Sequence, residues 1–217
     1  MRRSFDKQLE ILNSELIKMG SLCEDAIAMS AKALTETDIR LEKGIEKAEA
    51  EIDEKEKEIE TLCLKLLLRQ QPVAGDLRQI SAAIKMITDM ERIGDQARDI
   101  AELLKYIRGH RTEELILVHN MAEEAAKMVT DSIEAYVTQN QILAADVIAH
   151  DDIIDDLFER VRQALICFIR ETGNDAEYAV DLLMVAKYFE RIGDHAVNIA
   201  EWVVFSLTGV HKGDAKL

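Results

Sequence analysis

Twelve residues of this chain occur twice. Glu91–Glu102 reads ERIGDQARDIAE and Glu190–Glu201 reads ERIGDHAVNIAE, nine positions identical without a gap. Chance does not supply such a match, so the chain holds a duplicated unit. Upstream, Glu49-Ala50-Glu51-Ile52-Asp53 aligns with Asp151-Asp152-Ile153-Ile154-Asp155. The chain must fold as two halves of nearly the same shape.

The periodicity says what those halves are made of. Phe5, Leu9, Leu12, Leu16, Met19, Cys23, Ala26, Ser30 and Leu34 recur at threes and fours, as do Leu41, Ile45, Ala48, Ile52, Ile59, Leu62 and Leu66, which is the stripe of an amphipathic helix. Pro72, the single proline among 217 residues, ends the second helix. A third is expected from about Asp76 to Arg108, with Met90, Ile93, Ala97, Ile100 and Leu104 on its stripe. After Arg108-Gly109-His110-Arg111-Thr112 the order begins again: Glu113 to Val137, Gln141 to Arg170, a break at Glu171-Thr172-Gly173-Asn174, then Asp175 to Leu207. The tail from Gly209 to Leu217 reads as frayed. With nine glycines and 5% aromatics, the chain lacks the turn residues and aromatic content of a sheet protein. The expected fold is all-α: six long helices in two tandem, pseudo-symmetric three-helix bundles, residues 1–110 and 111–217.

The repeat also doubles a pattern of acids. Glu91, Asp95 and Asp99 are spaced by four, as are Glu190, Asp194 and Asn198, so each set follows one face of a helix. Each follows a stripe residue by one or two, which places it beside the packing face. Glu49 with Asp53, and Asp151 with Asp155, form a second row on the preceding helix of each unit. If those helices run antiparallel, the rows face each other across a seam. Like charges at this spacing repel by a few tenths of a kcal/mol per pair, and a hard cation with oxygen ligands would relieve that. The competing reading is a solvated acidic face held by Arg92, Arg98 and Arg191. Gly94 and Gly193 sit mid-helix at a cost of about 1 kcal/mol against alanine, so each needs a reason: a close helix approach, with or without an ion. His195 reads as the partner of a carboxylate rather than as a ligand.

Charge and motifs exclude other classes. Asp plus Glu number 42 against 27 Lys plus Arg, a net charge of −15, which opposes nucleic-acid and anionic-lipid binding. Cys23, Cys63 and Cys167 are odd in number, widely spaced and set among aliphatic residues, as expected of buried reduced thiols in a reducing compartment. The amino terminus turns acidic at once and has no apolar signal core, and no apolar run is long enough to span a bilayer. The expectation is a cytoplasmic protein that reaches membranes only through partners. No phosphate-cradling glycine loop is present, and no histidine has Glu three residues before it, as ferritin-like di-iron sites require. Nothing in the sequence asks for an enzyme.

Gln71-Pro72-Val73-Ala74-Gly75-Asp76-Leu77-Arg78, the two Glu-Arg-Ile-Gly-Asp motifs, and Asn198-Ile199-Ala200-Glu201-Trp202 resemble the PhoU phosphate-signalling regulators over essentially the whole chain. The resemblance implies a flat, elongated pair of three-helix bundles. It also implies multinuclear metal clusters, iron first, with Zn, Ni, Mn or Mg as alternatives, on Glu49, Asp53, Glu91, Asp95, Asp99, Asp151, Asp155, Glu190, Asp194 and Asn198. The implied role is non-catalytic: negative regulation of phosphate uptake and of the phosphate-starvation response, by linking the phosphate ABC transporter to a membrane sensor histidine kinase. A homodimer is implied as well, and Val203, Val204 and Phe205 are apolar surface that one chain is expected to leave uncovered. Asn198 in place of Asp99 makes the second site the expected weaker one. The rival from another class is a carboxylate-bridged metalloenzyme or metal store, and a third reading is a plain scaffold without metal.

Overall fold

A computed structural model describes residues 2–36, 38–69, 73–110, 112–171, 173 and 175–211, with backbone only at 2–4 and 69. Pro72 and the tail beyond His211 lie outside the described residues. Among these there are six helices and no strand: α1 (Arg2–Thr35), α2 (Ile39–Arg69), α3 (Ala74–Ile107), α4 (Glu113–Thr138), α5 (Gln141–Arg170) and α6 (Ala176–Thr208). No helix among them is long and apolar enough to cross a membrane.

Side-chain caps fix where the second-half helices begin. Asn140 Oδ1 accepts the amides of Ile142 and Leu143 at 3.0 and 3.1 Å, and Asp175 Oδ1 accepts those of Glu177 and Tyr178 at 3.0 and 3.1 Å. Each satisfies amides that the helix cannot. Short connections then force antiparallel neighbours.

α1, α2 and α3 pack on one another, as do α4, α5 and α6. The groups join through α3 against α6 and α1 against α4, while α2 and α5 pack only within their own groups. One broad face therefore presents α2, α3, α6 and α5 side by side. The expected stripes fill the core: Leu12, Leu16, Met19, Ile45, Ile52, Ile59, Met90, Ile93 and Ile100 are fully buried, as are Phe189, Ile192 and Ile199 in the second half. Two expectations change. Cys23 and Cys63 are buried but Cys167 is exposed, because it sits about 200° round α5 from the buried Leu165. Val203, expected as uncovered surface, is fully buried within its own chain.

Candidate functional site

The acid rows do face each other across α2/α3 and α5/α6. The contact at each seam is set by a repeated pair. A Cβ on Gly94 would stand 3.1 Å from Ile52 Cδ1, and one on Gly193 would stand 3.4 Å from Ile154 Cγ2. Gly94 with Ile52, and Gly193 with Ile154, are the pairs matched by the sequence repeat. Each glycine thus makes room for an isoleucine knob of the neighbouring helix, which is the close-approach explanation in its plain packing form.

The first seam is bridged by arginine. Arg98 of α3 pairs with Glu49 of α2, and its Nη2 lies 3.2 Å from Asp95 and 3.9 Å from Asp99. Arg92 lies 3.0 Å from Asp95 and 3.5 Å from Glu91. Glu91 is nevertheless held above the usual carboxylate range, by burial first and by Asp95 beyond that, with Glu56 and Asp53 adding to it. Glu56 is itself raised by burial and by Glu60 and Asp53. Asp53, Glu56, Glu91 and Asp95 therefore share one electrostatic neighbourhood. Glu56 was not legible from the duplication, since its repeat position holds Phe158. Its contact is Thr88 of α3, 3.5 Å away.

Among the described residues, no arginine bridges the second seam. Val197, 9% exposed, occupies the position equivalent to Arg98. Burial and the charges of Asp194, Asp155 and Glu190 push Asp151 above its ordinary value. Asp194, open to solvent on one side, is also held up, by desolvation on the other and by Glu190 and Asp155. Among the described residues the cation in contact is Lys187, whose Nζ lies 2.5 Å from Glu190 Oε2 without the alignment of a hydrogen bond, and whose charge partly offsets the rise at Asp194. Asp155 and Asp194 are exposed, whereas Asp53 and Asp95 are half-buried.

The third member of each row belongs elsewhere. Asn198 Nδ2 donates to Asp89 Oδ1 of α3 at 3.1 Å, and His195 Nδ1 lies 2.9 Å from the same oxygen. His195 is thus a carboxylate partner, as expected. Asp99 faces Arg191 and the Tyr188 hydroxyl of α6. Asp99 and Asn198 cross the α3/α6 contact and tie the two bundles together; Asp89 was missed because its repeat position is Tyr188.

The carboxylates offer the all-oxygen donor set that hard cations take. Among the described residues, no three of His, Cys, Asp or Glu converge closely enough to hold one ion as they stand. The fit is one of donor chemistry and placement: Asp53, Glu91 and Asp95 in the first seam, and Asp151, Asp155, Glu190 and Asp194 in the second, would be the holders. A hollow of about 620 Å³ lies elsewhere, at the bundle end lined by Thr35, Glu36, Arg108, His110, Thr112 and Ile116.

Comparison with known proteins places this architecture. The PhoU domain model matches residues 16–104 and again residues 118–203. The phosphate-specific transport system accessory protein PhoU homolog of Clostridium acetobutylicum is 37% identical over 210 residues, which is 96% of this chain and 96% of that one. The homolog from Aquifex aeolicus is 33% identical over 186 residues, 85% of this chain and 84% of its own. The crystal structure of PhoU from Pseudomonas aeruginosa matches with a TM-score of 0.89 at 29% identity, covering 95% of this chain and 100% of that one. A family model met once in each half, and relatives alike from end to end, carry one conclusion: the chain belongs to the PhoU family, which is accessory and regulatory rather than enzymatic.

Proposed function

We propose that the chain is an accessory regulator of phosphate uptake. It restrains a phosphate ABC transporter and passes that transporter's state to a membrane sensor histidine kinase, so that the starvation response stays off when phosphate is plentiful. The carrying observation is the end-to-end likeness, 37% over 96% of both chains, to a protein named as an accessory of phosphate-specific transport. The architecture suits the role, since broad helical faces offer docking area. We place the protein in the cytoplasm, meeting the membrane through those partners. A homodimer belongs to the same reading, with Val204 still partly exposed on α6.

Metal binding is the second part of the proposal. The seam carboxylates would hold hard cations, iron first, and a bound ion would supply positive charge where acids of two helices face each other. Support comes from Asp151, Asp194 and Glu91, all held above the carboxylate range in part by their neighbours' charge.

Deletion of the gene tests the regulatory part. Phosphate uptake and a starvation-response reporter should both rise in phosphate-rich medium and fall again when the chain is restored. If neither changes, the reading is wrong. Co-purification from membranes at high and low phosphate tests the partners: the transporter and the kinase should both be retained at high phosphate.

A further inference from the structure

We infer that the outer groove between α3 and α6 docks a basic amphipathic helix of a partner, on an apolar strip that only one of the two repeats carries. This rests on the regulatory reading above, whose partners must meet some helical face, and it names that face and the chemistry that fits it.

The strip is Val180, Met184 and Tyr188, spaced by four along α6 and so running for about 12 Å on one face. Val180 and Met184 are 55% and 42% exposed, and Tyr188 is half-buried. Tyr106 of α3, 55% exposed, lines a hollow of about 480 Å³ with Val180, Ala176, Glu177 and Asp181. Asp99 of α3 meets Tyr188 at the other end of the strip, so the two helices run antiparallel along it. The fold does not require this surface. The repeat positions of Val180, Met184 and Tyr188 on α3 are Ser81, Lys85 and Asp89, so the same face is polar in one copy and apolar in the other. Tyr106 has Phe205 as its counterpart, and Phe205 is covered by its own chain. Trp202 packs edge-on against it at 5.6 Å and His211 at 6.3 Å, while Arg78 lies against Gly209. Over the Tyr106 ring lies the ammonium of its neighbour Lys105, 4.7 Å from the centroid, which leaves more than half of the residue open.

Charge decides what covers the strip. Glu177 and Asp181 stand at one end of it, and Asp99 and Glu102 act on Tyr188 at the other. The cations set among these four acids are Lys105 and Arg191, and Arg191 already faces Asp99. A second copy of this chain laid on the same face would bring the same acids against them, on a chain whose net charge is −15. A segment with Lys or Arg beside its apolar residues meets both needs at once. A groove between two packed helices takes a third helix, whose anchors at threes and fours fall along one line. Such anchors would lie on Tyr106, Val180 and Met184, with basic residues toward Glu102, Glu177 and Asp181.

A fluorescein-labelled amphipathic peptide of leucine and lysine, roughly 18 residues long with leucines at threes and fours, tests this by anisotropy with the purified chain at about 0.15 M salt. Binding should saturate, and Tyr106→Ser and Val180→Ser should each weaken it by about tenfold. These two variants lie on different helices at exposed positions, so each checks the other, and circular dichroism confirms that both fold. Glu177→Lys should weaken binding as well. Ile142→Ser, at an apolar residue 75% exposed at the start of α5, should change it by less than about twofold. The same peptide with glutamate in place of lysine should not bind. No saturable binding of the lysine peptide, wild-type affinity in both serine variants, an equal loss in Ile142→Ser, or equal binding of the glutamate peptide would each overturn the inference. None of these results touches the regulatory reading, which the gene-deletion phenotype decides separately.

Discussion

Replacing the two seam glycines by alanine separates packing from every other reason for their presence. Gly193→Ala removes a mid-helix glycine, worth about 1 kcal/mol in helix propensity. Its new methyl would meet three atoms of Ile154 at 3.4, 3.5 and 3.8 Å, which is ordinary contact, and burying it adds up to about 0.8 kcal/mol. The expected result is stabilisation by ~1–2 kcal/mol. Gly94→Ala gains the same propensity, but its Cβ would stand 3.1 Å from Ile52 Cδ1. Ile52 is fully buried, and moving it costs about 1 kcal/mol or more in a packed core. The gain is offset, and the net change falls near zero or below.

Ile52→Val makes this a cycle. It deletes the Cδ1 that obstructs the new methyl, at a cost of about 0.5–1.5 kcal/mol by itself. In that background Gly94→Ala should recover the stabilisation seen at Gly193, a coupling of ~1 kcal/mol between neighbours. Urea unfolding of the metal-free chain measures all four variants, and for a chain of this size 1 kcal/mol corresponds to about 2–4 °C in Tm. Destabilisation by Gly193→Ala of more than about 1 kcal/mol would refute the reasoning. The glycine would then be holding open a space that Ile154 does not fill.

Asp89→Ala should cost ~1–3 kcal/mol, since it leaves His195 and Asn198 without their shared acceptor; a urea midpoint within error of wild type would count against a tie between the bundles. Tyr178→Phe removes the 2.8 Å contact between its hydroxyl and Thr112 Oγ1 at the start of α4 and should cost about 0.5–1.5 kcal/mol, read in the same assay. Glu15 is bonded by Lys18 and Lys55, which hold its carboxyl below the usual glutamate range. Its stabilisation is therefore complete above a pH of about 4.3 and is lost as pH falls through the lower folded value. Glu15→Gln should flatten that part of the stability–pH curve by less than about 1 kcal/mol, and an unchanged acid limb would refute the pairing.

The helices were legible because their signals are local. The expected spans Glu113–Val137 and Gln141–Arg170 meet α4 and α5 to within a residue, since period and caps act within a few positions. Asp175, read as the first residue of the sixth helix, is its cap. The facing of the acid rows was legible on the condition that the helices run antiparallel. The fate of the third acid was not. Residues four apart on a helix advance by about 40°, so Asp99 and Asn198 sit about 80° round from Glu91 and Glu190. That turn carries them out of one groove and into the next. Only the packing of α3 on α6 shows what waits there: Arg191 and Tyr188 for Asp99, Asp89 for Asn198.

The differences between the two motif copies explain more than their identities do. The shared residues include Ile93 and Ile192, Gly94 and Gly193, Ala97 and Ala196, Ile100 and Ile199, all buried, together with the acids Glu91 and Glu190, Asp95 and Asp194. These build the same seam twice. Three positions differ, and each lies where α3 or α6 meets another helix or solvent. Gln96 is buried with its Oε1 unpaired, while His195 binds Asp89. Asp99 and Asn198 take different partners across the bundle contact. Arg98 spans its seam and Val197 does not. Packing restrains the buried positions, because both halves need the same helix spacing, whereas charges at the seam mouth change without moving the backbone. A duplicated bundle of this kind can therefore keep one fold in both halves while the charges along its two acid seams diverge.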